Sequence, residues 1–410
     1  MHECCTTKRY ERRCRKFLRI ISGSPEGAGK WHISYFAMPL HSKIRRKRAS
    51  GGRLCARGAK NAAAGKKTVA PSGLLSFNRK NGTRGRGPRR GRSAMYFDAH
   101  SDIFNDVTVR RLRGETDVFR RCHLDRLRRG GAEGGIFVIW VDPPYDADYG
   151  RRTHQIMDCI RAESAGNGAL RLVRTCAEMD RARRDGVFYA FVGVEGMAYA
   201  GNSLARIDEY YEFGARHAML TWNEANALAA GALSGETRGL TAAGRRAVRR
   251  LQEKGMLLDV SHLNEAGFWD VSELTVAPFI ASHSNARALC DTPRNLTDDQ
   301  LRAVRDADGV VGLNAYARFI GETPEEQTVR RLALHAAHMA EVMGVDHVGC
   351  GFDFVEFLDD GDAPPRTAGL ADAGEVPNLF TCLAELGMTA EELEKIARLN
   401  FQRVLRRTVG

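Results

Sequence analysis

From residue 95 onward, short apolar runs alternate with longer stretches whose apolar positions recur at helical spacing. The runs predict strands at 96–100 (YFDAH), 136–142 (IFVIWVD), 188–194 (FYAFVGV), 217–222 (HAMLTW), 257–261 (LLDVS), 279–283 (FIASH), 310–316 (VVGLNAY) and 347–352 (HVGCGF). Several are almost uninterrupted in apolar character, as expected of strands covered on both faces. The intervening stretches carry helix punctuation. Thr241 precedes AAGRRAVRRLQEK, which Gly255 closes, while Thr297 with Gln300 and Thr389 with Glu392 form capping boxes. Eight strands alternating with helices over about 315 residues predict an α/β fold, a TIM-like (β/α)8 barrel. A doubly wound open sheet is the alternative.

A barrel places its chemistry at the C-terminal ends of its strands, and polar residues stand at those ends here. The first run finishes on His100 and Asp102, two apart, so that on an extended strand both side chains would face the same way. The third leads into Glu195, between two glycines, the fifth into His262, the sixth into His283, the seventh into Tyr316 and the eighth into Asp353. Imidazoles and carboxylates converging on one mouth suit a metal ion, and Asp353 is a candidate for proton transfer. His335 and His338 have helical spacing away from any strand end and read as packing or surface residues, and His217 reads as structural. No GxSxG elbow and no Cys–His motif is present, which disfavours covalent catalysis.

Charge divides the chain unevenly. Residues 1–94 hold 25 of the 62 Lys and Arg but 3 of the 50 Asp and Glu, so the overall +12 comes from this segment and the remainder is acidic. Rich in Gly, Arg and Lys and lacking apolar periodicity, it reads as a disordered extension or as sequence outside the mature enzyme, with residues 95–410 forming the barrel. DNA or RNA binding through this basic segment is a rival function, and an organelle-targeting segment another reading. The ten cysteines include no CxxC pair, which suggests a reducing, cytoplasmic setting. No stretch approaches the roughly 18 apolar residues of a membrane span, so no membrane partner is expected.

The motifs DAHSD, GVEG, GLTAAGRRAVRRLQEKGMLLDVSH, ASHSNARALCDTPRNLTDDQL, GVVGLNAY, HVGCGFDF and NFQRVL together resemble the membrane dipeptidase family, peptidase family M19, over residues 95–408. The resemblance implies a barrel holding two Zn2+ ions per subunit, with Mn2+ or Co2+ as substitutes, that hydrolyses dipeptides by metal-activated hydroxide. His100 and Asp102 would bind one ion, His262 and His283 the other, and Glu195 both. Arg294 would grip the C-terminal carboxylate, Asp353 handle the proton and Tyr316 lie near the substrate. Many members carry a histidine after the fourth strand, where this sequence has Trp222. Trp222 could stack on a substrate side chain, and the adjacent Asn223 could supply a hydrogen bond. A C-terminal D-residue in the substrate and a homodimer are both left open. Another metal-dependent amidohydrolase, a deaminase or cyclic-amide hydrolase, is the nearest alternative. Such enzymes commonly show HxH on the first strand and a carboxylated lysine as bridge, where this chain has HxD and Glu195.

Overall fold

The computed structural model describes residues 95–166, 168–358 and 365–410. The expectations for residues 1–94 lie outside these. Nine strands are described: β1 (Tyr96–Ser101), β2 (Ala132–Trp140), β3 (Leu170–Val173), β4 (Phe188–Glu195), β5 (Ala215–Met219), β6 (Leu257–Asp259), β7 (Phe279–Ile280), β8 (Val311–Leu313) and β9 (Val348–Cys350). All pair in parallel, in the order β1-β2-β4-β5-β6-β7, with β8 and β9 forming a second ladder. A parallel bridge from Ala281 to Val311 joins the ladders. The ring closes where Asp353 N donates to His100 O (3.4 Å) and Phe352 N donates to the Asp98 carboxylate (2.9 Å). The predicted barrel is therefore observed. Helices connect its strands, including Ala242–Glu253 and Asp298–Asp306, whose N-termini are capped by Thr241 and Thr297 as the sequence suggests.

Two differences from expectation have physical causes. β3 was not foreseen. Its four residues, LRLV, alternate weakly, and it pairs with the first half of β4 along the same edge that β5 takes further on. Several predicted strands are also shorter than their apolar runs. Beyond Leu313, for example, the Asn285 side chain takes over the ladder's hydrogen bonds, donating to Asn314 O and accepting from Asn314 N.

One apolar cluster fills the space between strands and helices. A second contains Phe97, Ile136, Val138, Tyr189, Phe191, Leu257 and Ile280 together with Phe401 and Leu405 of the last helix, Asn400–Thr408. That helix is fastened by Gln402, which donates to Glu133 at the start of β2, so it covers the end of the barrel opposite the strands' C-termini. Among the described residues no helix is long and apolar enough to cross a membrane.

Candidate metal centre

The site assembles from the residues that follow the strands. His100 lies near the end of β1, where the register with β2 shifts between Asp98 and Ser101. Asp102 has already left the strand and is the N-cap residue of helix Ile103–Leu112. The pair does converge, with His100 Nε2 3.7 Å from Asp102 Oδ2. The cause is this strand-to-helix corner rather than simple alternation along an extended strand. Glu195 ends β4, and its two oxygens face different imidazoles: Oε2 is 3.4 Å from His100 Nε2 and Oε1 is 2.9 Å from His262 Nε2. His262 and His283 present their Nε2 atoms to each other at 2.9 Å. Asp353 Oδ1 lies 3.7 Å from His100 Nε2, while Asp353 Oδ2 accepts a hydrogen bond from Asn314 Nδ2 (3.0 Å). Asp353 adopts φ +58°, a left-handed conformation unusual for a non-glycine residue and the kind of backbone strain that gathers at functional sites.

The other candidates surround this cluster. Arg294 is 1% exposed, and its Nη2 donates to His262 Nε2 (3.0 Å) while Nε and Nη1 have no partner among the described residues. Trp222 lies against His262 (ring centroids 6.4 Å apart) and Trp140 (5.3 Å). The Asn223 side-chain oxygen is 3.1 Å from His262 Nδ1, so Asn223 meets the histidine ring. Tyr316 and Asp353 line one small cavity with Phe354 and Leu370. All ten candidate residues are thus gathered at the mouth. His335 and His338 are elsewhere: His335 is buried, with Nε2 donating to Ile320 O, and His338 meets Asp298.

Sequence reasoning missed Asp259. This fully buried carboxylate ends β6 beneath His262, and His217 Nε2 donates to it (2.8 Å). His217 is mid-strand rather than at a strand start, and Gly193 leaves room for it: a Cβ on Gly193 would stand 2.5 Å from His217 Nδ1. The available signal was an acidic residue on an otherwise apolar strand just before the SH pair.

The donor set fits cations. Donors sharing one ion at bonds of about 2 Å stand roughly 3–3.5 Å apart, and the separations here, 2.9–3.7 Å, bracket that range. Two triads, His100–Glu195–His283 and His100–Asp102–Asp353, offer ligand atoms within 4.8 Å of one another. Both ring nitrogens of His100 and Asp102 Oδ1 are buried without a hydrogen-bond partner. Burial pushes Glu195 up to about 8 and Asp353 up to about 7, with Asp102 adding like charge to both, a penalty that a cation would relieve. Burial, with nearby positive charge, holds His262 and His283 well below the usual imidazole range, so both are neutral as ligands must be.

A parallel barrel with imidazoles and carboxylates gathered at the C-terminal ends of its strands is an arrangement suited to metal-dependent hydrolysis. A sequence profile of the membrane dipeptidase family (peptidase family M19) matches residues 91–409, and the chain belongs to that family. It is a metallo-dipeptidase. An uncharacterized dipeptidase of Schizosaccharomyces pombe is 32% identical over 327 residues, covering 74% of this chain and 75% of that protein. An uncharacterized protein in the pqqA 5' region of Klebsiella pneumoniae is 36% identical over 260 residues, 61% of this chain and 93% of that one. Among solved structures, a metallo peptidase from Rhodobacter sphaeroides, liganded with a phosphinate mimic of the dipeptide L-Ala-D-Ala, superposes with a TM-score of 0.69 at 27% identity, covering 77% of this chain and all of that one.

Proposed function

We propose that the chain hydrolyses dipeptides, including those with a D-residue at the C-terminal side, using two Zn2+ ions. His100 and Asp102 would hold one ion, His262 and His283 the other, and Glu195 would reach both. The carrying observation is that the two Glu195 oxygens face separate histidines, at 3.4 and 2.9 Å. An all nitrogen-and-oxygen donor set suits zinc and admits Mn2+ or Co2+. When bound, the ions supply activation of a water molecule and polarisation of the scissile carbonyl.

The chain's own residues do the rest. Arg294, permanently cationic and forked, pairs with the substrate's C-terminal carboxylate, which favours very short peptides because a longer one places no carboxylate there. Asp353, held by Asn314, takes the water's proton and passes it to the departing amine. Trp222, braced on Trp140, forms an apolar wall for a substrate side chain, and Tyr316 lines a small cavity with Asp353. Asn223 orients the His262 ring. Acceptance of a C-terminal D-residue draws support from the L-Ala-D-Ala mimic bound by the Rhodobacter relative.

The test is metal analysis of the purified chain with hydrolysis of L-Ala-L-Ala, L-Ala-D-Ala and Gly-Leu before and after chelation. Two equivalents of zinc, loss of hydrolysis on chelation and recovery with Zn2+ are expected. Undiminished hydrolysis by metal-free protein overturns the metal assignment. Fully loaded protein that cleaves none of the three dipeptides overturns the substrate assignment.

A further inference from the structure

Beneath His262 and His283 lies a buried polar layer centred on Asp259. Asp259 Oδ1 accepts from Ser261 N (2.9 Å), Ser261 Oγ (2.7 Å) and Ser282 N (3.1 Å), and Oδ2 accepts from His217 Nε2 (2.8 Å). Backbone N–H groups can only donate, so the carboxylate receiving them beside a hydroxyl acts as an acceptor. The single proton of Ser261 is therefore committed to Asp259. Ser261 Oγ accepts from His283 N (3.2 Å) and lies 3.3 Å from Ser282 Oγ. With its proton spent, Ser261 offers only lone pairs at that contact, so a hydrogen bond there has Ser282 as its donor. Ser282 Oγ then has only lone pairs left for His283 Nδ1, at 2.7 Å. In that arrangement Nδ1 carries the ring proton, which leaves Nε2 bare and directed at the metal centre. Asp259, Ser261, Ser282 and His283 are each at most 3% exposed, so water is a poor substitute for any link.

The opposite tautomer has a specific competitor to escape. A proton on His283 Nε2 would point at His262 Nε2, 2.9 Å away, and could tie the two imidazoles together. The serine pair holds the proton at the other nitrogen.

We infer that Asp259, acting through the hydroxyls of Ser261 and Ser282, is the positioning residue that fixes His283 in its metal-binding tautomer and orientation. The inference rests on the proposed role of His283 as a ligand. Where a carboxylate commonly orients a metal-bound histidine directly, here two hydroxyls separate them, and the charge acts through a chain of three hydrogen bonds.

The test uses the full chain loaded with zinc and compares wild type with Ser282→Ala, Ser261→Ala and His283→Ala. Affinity for each ion is measured by chelator competition, and imidazole tautomers are read by 15N NMR. In Ser282→Ala, the affinity for one ion falls about 10- to 100-fold, the other ion is held as in wild type, and the His283 signals show Nε2 protonation in the metal-depleted sample. Ser261→Ala shifts both readouts in the same direction and serves if Ser282→Ala does not fold. Two ion affinities within twofold of wild type in the serine variants, with His283→Ala losing one ion, overturn the relay alone. Retention of both ions by His283→Ala overturns the role of His283 itself.

Discussion

Arg294 is an enclosed guanidinium with two of its three nitrogens unpartnered among the described residues. Burial pushes it down to about 10, so it remains cationic at neutral pH. A buried cation in that state is costly unless an anion completes it. Replacing it with alanine is expected to lower kcat/KM for free dipeptides roughly 10²- to 10³-fold and to change hydrolysis of C-terminally amidated dipeptides far less. Equal losses on both substrates would remove its assigned partner. Asp353→Asn keeps the shape and the Asn314 contact but loses the base, so kcat is expected to drop roughly 10²- to 10⁴-fold with both ions retained, checked by metal analysis alongside steady-state rates. His100, Glu195, His262 and His283 were legible in the sequence because barrel strands deliver their last residues to one mouth. The Asn223 contact with His262 and the Asp259 network were not, since hydrogen bonds between residues tens of positions apart leave no spacing signal.

The strands nearest the centre are short and pressed together. A Cβ on Gly312 in β8 would lie 1.8 Å from the carbonyl oxygen of Ser282. Gly312→Ala must therefore push β8 away from the segment that carries Ser282 and His283, and a loss of about 1–3 kcal/mol is expected, measured by urea unfolding of the loaded protein. Unchanged stability would mean that this approach is loose. The eight apolar runs were readable because strands covered on both faces need little polar content. Their ends were not, because Asn285 and Asp98 replace ladder hydrogen bonds with side-chain ones. β3 escaped notice because four residues, buried only at Leu170 and Val173, carry almost no pattern.

Across the molecule, the family match begins at residue 91 and every candidate site residue lies at or beyond His100, while the basic excess lies before residue 95. Removing residues 1–94 is expected to leave kcat/KM on dipeptides within about twofold, in line with every candidate site residue lying at or beyond His100; a collapse of activity would make that segment part of the enzyme. The overall architecture was the most legible feature, because strand–helix alternation repeats eight times and errors at single boundaries do not disturb it. The distribution of the ligand candidates carries a further consequence. His100 and His283 come from opposite parts of a long sequence, yet their rings lie 3.8 Å apart. No short fragment can reproduce that meeting, so ion capture requires the folded barrel and is linked to its stability. A bound metal ion would then act as a conformational clasp: present at a hundredfold its Kd, it would add about 2.7 kcal/mol to the folded state. Starving the cell of metal would thin out the folded population as well as silence it.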